Sequence, residues 1–143
     1  MNFVLSLAEL RPRHRRLVGG KGFALAVLSQ HGITVPATLI VTTQAYENFV
    51  AATGLKGRIL LELRRKNFKD LGWEEMWDAS LRLRHLFLNT PLPDGLAASL
   101  ESALAPHLPE RCVVRSSAPG EDSRQASFAG LHASFVNVVG LDA

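Results

Sequence analysis

Long apolar runs are missing from this 143-residue sequence, and none approaches the roughly 18 residues that a membrane helix requires. No membrane partner is expected. Cysteine is nearly missing too: the single Cys112 has no mate for an internal disulfide, which excludes a disulfide-stapled scaffold. Its setting in Cys112-Val113-Val114 predicts an inert thiol buried in a strand, which suits a reducing cytoplasm. Met1 to Leu10 lacks a secretory apolar core, because Asn2, Ser6 and Glu9 interrupt it and a basic cluster follows. Export is therefore not expected. An excess of one charge is missing as well, with a net charge of only +3, much of it in Arg11-Pro12-Arg13-His14-Arg15-Arg16. Such a run can bind a polyanion by displacing counterions from phosphates, or it can be a solvated loop. It has no flanking aromatics to stack on bases.

What is present is an apolar fraction of 47% and a charged fraction of 20%, enough for one soluble domain with a core. The chain is short for a complete two-domain enzyme. Phe3 to Leu7 reads as an opening strand, and the arginine-rich stretch reads as a loop. A helical pattern starts at Phe23, with Phe23, Val27 and Leu28 on one face and Gly32 as its stop. Val35-Pro36 leads into a strand at Leu39-Ile40-Val41, and Thr42 or Thr43 is placed to cap a helix from Gln44 to Ala52, closed by Gly54. Ile59, Leu60 and Leu63 mark one short helix. Met76, Ala79, Leu83, Leu86 and Phe87 mark a longer one, with Trp73 and Trp77 expected in the core. Pro91-Leu92-Pro93 ends it, and Asp94 can cap a further helix lined by Leu96, Leu100 and Leu104. Strand character returns at Cys112 to Arg115 and again at Phe135 to Val138, on either side of a loop. There is no internal repeat and no low-complexity linker. The order predicts an α+β fold, or a mixed α/β one, with helices packed beside a small mixed sheet.

Two stretches carry chemistry that suits an anion. Gly19-Gly20-Lys21-Gly22 opens a helix: glycines admit a close approach, N–H groups at the helix start point outward, the dipole favours negative charge, and Lys21 adds a cation. It is neither a P-loop nor a dinucleotide fingerprint, and by itself it is equally a tight turn. Arg115 stands at the exit of an apolar strand, where a guanidinium can fork two phosphate oxygens while Ser116 and Ser117 donate further hydrogen bonds. An ordinary ion pair from Arg115 to Glu121 or Asp122 is the competing reading. Ser127-Phe128-Ala129-Gly130 is a small-residue turn suited to a flap over phosphates, anchored by Phe128.

Taken in order, these stretches resemble one family. Val18-Gly19-Gly20-Lys21-Gly22, then Val35-Pro36, Thr43-x-Ala45-Tyr46, Val114-Arg115-Ser116-Ser117-Ala118 with Glu121-Asp122, Ser127 to Gly130 and Asn137-Val138 are similar to the ATP-binding N-terminal domain of pyruvate phosphate dikinase and phosphoenolpyruvate synthase. Rifampicin phosphotransferase shares that domain. The resemblance implies that Gly20, Lys21 and Gly22 line the ATP phosphates, that Arg115 grips them and acts catalytically on the transferring group, that Ser127 and Gly130 belong to a closing loop, and that Ser134 stands near the triphosphate. It also implies Mg2+ with the ATP. Clamping of this kind is what phosphoryl transfer mainly asks of a protein. Departures are Ala37-Thr38-Leu39 in place of Pro-Gly-Phe, Ala24 for Asn or Ser, and Leu131 for Gln.

The implied fold is ATP-grasp, and residues 1–143 would form its first lobe. The second lobe, with the adenine pocket and acidic metal ligands, and the phosphohistidine and acceptor domains would be absent. No metal ligand is assigned to this chain. None of the five histidines, His14, His31, His85, His107 and His132, stands in the Gly-Gly-x-Thr-x-His context of the family's phosphocarrier, so they read as surface or packing residues. The parent reaction implied is phosphorylation of a histidine by ATP and transfer to pyruvate or another acceptor, with this chain alone inactive. Two other readings stay open: a non-catalytic nucleotide-binding or regulatory module, and an RNA-binding protein using Arg11 to Arg16.

Overall fold

A computed structural model describes residues 2–107, 111–117, 122–123, 126–127 and 133–140. The chain divides into two units, one of Met1–Ala45 with Ala98–Ala143 and one of Tyr46–Ala97. In the first, β1 (Val4–Ser6) pairs antiparallel with β2 (Leu39–Val41), with Leu5 opposite Ile40. Side chains alternate along a strand, so this register sends Leu5 and Ile40 together into the core. They are joined there by Leu10, Val18 and Ala26, with Leu7, Leu17 and Phe23 packed around them.

Helix α1 (Arg15–Gln30) lies over this ladder and is broken at Gly19, whose φ of 69° and ψ of 176° are not helical. The basic stretch is therefore not a loop. Pro12–His14 forms a 3-10 turn that feeds α1, the Arg11 guanidinium donates to the carbonyls of Ala8 (2.8 Å) and Leu10 (2.9 Å), and Arg15 stacks over the Phe23 ring at 5.7 Å. The buried side of α1 also differs from the apolar pattern. Gly22 and Ala26 face inward, whereas Val27 and Leu28 are exposed. A Cβ on Gly22 would stand 2.9 Å from Ile40 Cδ1, so the helix sits too close to β2 for large side chains, and small residues take the contact face. Gly32, with φ of 77°, ends the helix as expected, its N–H bonding Ser29 and that of Ile33 reaching back to Leu28.

Thr42 is not a side-chain cap. It is buried, its N–H donates to Phe3 and its hydroxyl to the Asn2 carbonyl at 3.0 Å, so it extends the ladder, and α2 (Thr43–Ala52) starts just after it. At the other end of the unit, α5 (Asp94–Leu104) leads to β3 (Cys112–Arg115), which pairs antiparallel with β6 (Ser134–Val138). Between them lies a short ladder of β4 (Asp122–Ser123) and β5 (Ala126–Ser127). Cys112 opposes Val138 and Val114 opposes Phe135, which leaves one extra residue on β6. The bulge falls at Asn137, whose φ of 59° is left-handed, a conformation that asparagine tolerates better than most residues. Cys112 is half-buried rather than enclosed, with its thiol 3.5 Å from the His107 carbonyl.

In the second unit, α3 (Leu55–Leu63) packs against α4 (Trp73–Leu88), with Leu55 fully buried. Tyr46 stacks on Phe87 at 6.0 Å and Phe49 meets the same ring at 6.1 Å. Glu62 ties the two helices by accepting from Arg82 at 2.9 Å. Here the sequence expectation fails: Trp73 and Trp77 are 71% and 62% exposed. The inward residues are Ala79, Leu83, Leu86 and Phe87, and the tryptophans share the opposite stripe with Leu81.

The described residues thus form an α+β fold with five α-helices and, in place of one mixed sheet, three antiparallel two-stranded ladders. Among them, no helix is long and apolar enough to cross a membrane.

Candidate functional site

The break at Gly19 makes Gly20, Lys21 and Gly22 the first turn of an uninterrupted helical run to Gln30, so their N–H groups are those left without intrahelical acceptors. A helix start is normally capped by the side chain of the residue before it, and Gly19 has none. The cap comes instead from a distant strand end. Ser117 Oγ accepts the Gly22 N–H at 3.1 Å and donates to the Val18 carbonyl at 2.7 Å. One hydroxyl thereby ties both sides of the Gly19 break to the segment that follows β3.

Gly19 is required on two counts. Its φ is left-handed, and a Cβ there would lie 2.6 Å from the Ser117 carbonyl oxygen and 2.7 Å from Ser117 Oγ. Gly22 has its own constraint, being pressed between Ile40 and Ser117. The glycines let two backbones meet, which explains why such a segment has to be side-chain-free where the strand end crosses it.

Arg115 precedes Ser117 by two residues in the same extended segment, and its exposed side chain makes no ion pair with any described residue. Directly opposite it on β6 stands Ser134, also exposed. Gly20 and Lys21 are half-buried. The structure therefore joins Gly20, Lys21 and Gly22 to the strand end that carries Arg115, and sets Ser134 opposite Arg115. Ser127 is described in its backbone only, where it pairs with Asp122. Gly130, Phe128, Glu121, Leu131 and His132 lie outside the described residues.

One sequence expectation changes here. The sequence makes Ser117 a candidate donor to a ligand, yet its single hydroxyl proton goes to Val18. Its role as a cap was missed, and the only signal available was indirect: a helix start preceded by glycine needs a cap from elsewhere. The basic stretch is also less free than an RNA-binding arm requires, since Arg11 and Arg15 have internal partners. An open groove of about 400 Å³ is lined by Glu62, Leu81, Arg82, His85 and Leu86, none of them a site candidate, and Glu62 there is already paired with Arg65 and Arg82.

An α+β unit that stitches a glycine-rich helix start to an arginine-bearing strand end has the form of an anion-binding module. The chain belongs to the pyruvate phosphate dikinase AMP/ATP-binding domain family, whose model matches residues 15–143. It is 34% identical to the phosphoenolpyruvate synthase of Neisseria meningitidis serogroup B, over 99% of this chain and 19% of that protein. It is 42% identical to a rifampicin phosphotransferase of a Streptomyces species, over 87% of this chain and 14% of that protein. A probable phosphoenolpyruvate synthase of Methanocaldococcus jannaschii is 32% identical over 99% of this chain and 12% of its own length. The chain thus spans less than a fifth of these relatives.

Proposed function

We propose that residues 1–143 are the phosphate-binding first lobe of an ATP-grasp domain in a dikinase-type phosphotransferase. The observation that carries this is the Ser117 hydroxyl, which fastens the Gly19–Gly22 segment to the end of the Arg115 strand. In this reading Lys21 and the Gly20 N–H at the helix start take the outer phosphates of ATP, Gly22 lines them through its lack of a side chain, and Arg115 forks the transferring group and offsets its charge in the transition state. Ser134, opposite Arg115, donates to the same triphosphate. Ser127 and Gly130 belong to the segment that closes over it.

The described residues contain no group of three or more His, Cys, Asp or Glu side chains that would hold a metal. In this reading Mg2+ accompanies the nucleotide and takes its acidic ligands from the second lobe. The parent reaction is phosphorylation of a histidine by ATP and passage of the phosphoryl group to pyruvate or another acceptor, in keeping with relatives named phosphoenolpyruvate synthase and rifampicin phosphotransferase. A cytoplasmic setting suits a chain with a single cysteine.

The test is an NMR titration of the labelled chain with Mg-ATP, repeated on Lys21→Ala and Arg115→Ala. Saturable shifts at Gly19 to Gly22 and Arg115 to Ser117, lost in both variants, are expected. Shifts that survive both substitutions would refute the clamp.

A further inference from the structure

We infer that Ser117 is a positioning residue that makes Lys21 and Arg115 act as one clamp rather than as two separate cations; this rests on the phosphate-binding reading above. The geometry supplies the reason. Gly22 is the third residue of the helical run after Gly19, the position whose N–H a capping side chain ordinarily satisfies. Ser117, far away in sequence, takes that N–H and also holds the carbonyl of Val18 on the other side of the break. The left-handed turn cannot relax without releasing Ser117. Nor can the strand end move toward Gly19, because the two backbones are already close enough to exclude a Cβ.

The consequence lies in how the two cations share a ligand. With Ser117 in place, the helix start bearing Lys21 and the strand end bearing Arg115 are preorganised in one register, so a phosphate chain that meets one already meets the other. Without the hydroxyl, each cation still carries its charge, but the two segments are free to separate and each must be ordered by the ligand. The serine touches no phosphate itself, since its proton is committed to Val18. Its effect is on the coupling between Lys21 and Arg115.

Two measurements test this. The first needs no nucleotide: Gly22 N–H should exchange with solvent about tenfold more slowly than the Gly20 N–H, as expected for a capped amide beside an uncapped one. In Ser117→Ala that protection should vanish while the amides of Ala26 to Gln30 keep theirs, which separates loss of the cap from loss of the fold. A Gly22 amide exchanging as fast as Gly20 in the unmodified chain would overturn the cap. The second is a double-mutant cycle on Mg-ATP affinity. With Ser117 present, Lys21→Ala/Arg115→Ala should weaken binding by several-fold less than the product of the two single losses. In the Ser117→Ala background the two losses should multiply. Equal coupling with and without Ser117 would overturn the inference while leaving the clamp intact. Failure of the unmodified chain to bind Mg-ATP would instead bring down the clamp and this coupling with it.

Discussion

Gly19 is the residue on which the site's backbone turns. A left-handed φ alone disfavours any other residue by about 1–2 kcal/mol, and at many positions a neighbour can shift to make room. Here the neighbour is backbone, since the nearest atom to a new Cβ would be the Ser117 carbonyl oxygen at 2.6 Å. Gly19→Ala is therefore expected to destabilise the chain by about 2–4 kcal/mol in urea denaturation, more than the conformational term alone. A loss below about 1 kcal/mol would mean the two segments are not in register. The glycines and the arginine were legible in the sequence because each carries its chemistry locally: flexibility in one, a fixed charge in the other. Ser117's role was not, because a hydroxyl takes its meaning from its partners, and these lie 95 and 99 residues away.

Elements were legible where the pattern had one interpretation. The strand at Leu39 to Val41 and the stop at Gly32 stand where turn chemistry puts them, whereas α4 carries apolar residues on two sides and periodicity could not choose between them. Contacts decided in favour of Ala79, Leu83, Leu86 and Phe87, with both tryptophans left to solvent. Trp77→Gln should accordingly change stability by no more than about 0.5 kcal/mol, while Phe87→Ala, which removes the ring against Tyr46 and Phe49, should cost about 2–4 kcal/mol. A large loss from Trp77→Gln would restore the core reading of that stripe.

The start of α4 also depends on pH. Glu75 is held below its ordinary value of 4.5, first by the Lys66 ammonium at 2.8 Å and then by the Gly72 N–H at 2.9 Å. A lowered folded-state value means that the ionised carboxylate favours the fold above the unfolded value, and that this contribution disappears as pH falls through the lowered one. Chemical shifts at Gly72 should thus change below about pH 4.5. Glu75→Gln should remove that acid-range step and leave neutral-pH structure in place.

At the scale of the whole molecule, the division into two units makes a prediction about where ATP acts. Every described candidate, Gly20, Lys21, Gly22, Arg115, Ser127 and Ser134, belongs to the unit of Met1–Ala45 and Ala98–Ala143. The sequence could show their order along the chain, but not that an excursion from Tyr46 to Ala97 separates them only in sequence, because that follows from contacts made across the interruption. A ligand that binds only the folded state stabilises it by mass action, by about 1.4 kcal/mol when present at ten times its dissociation constant. If the clamp is built within the first unit, added Mg-ATP should slow amide exchange in β1, β2, the α1 segment from Gly20 to Gln30, and β3. Exchange at Leu55 to Leu63 and Trp73 to Leu88 should change only as far as those helices open in the same global event. Lys21→Ala/Arg115→Ala should lose the nucleotide-dependent slowing at the same ATP concentration while keeping its exchange pattern without ATP. Slowing that appears first in α3 and α4 would place the nucleotide on the helical unit, and the glycine and arginine segments would then be a structural joint rather than a phosphate clamp.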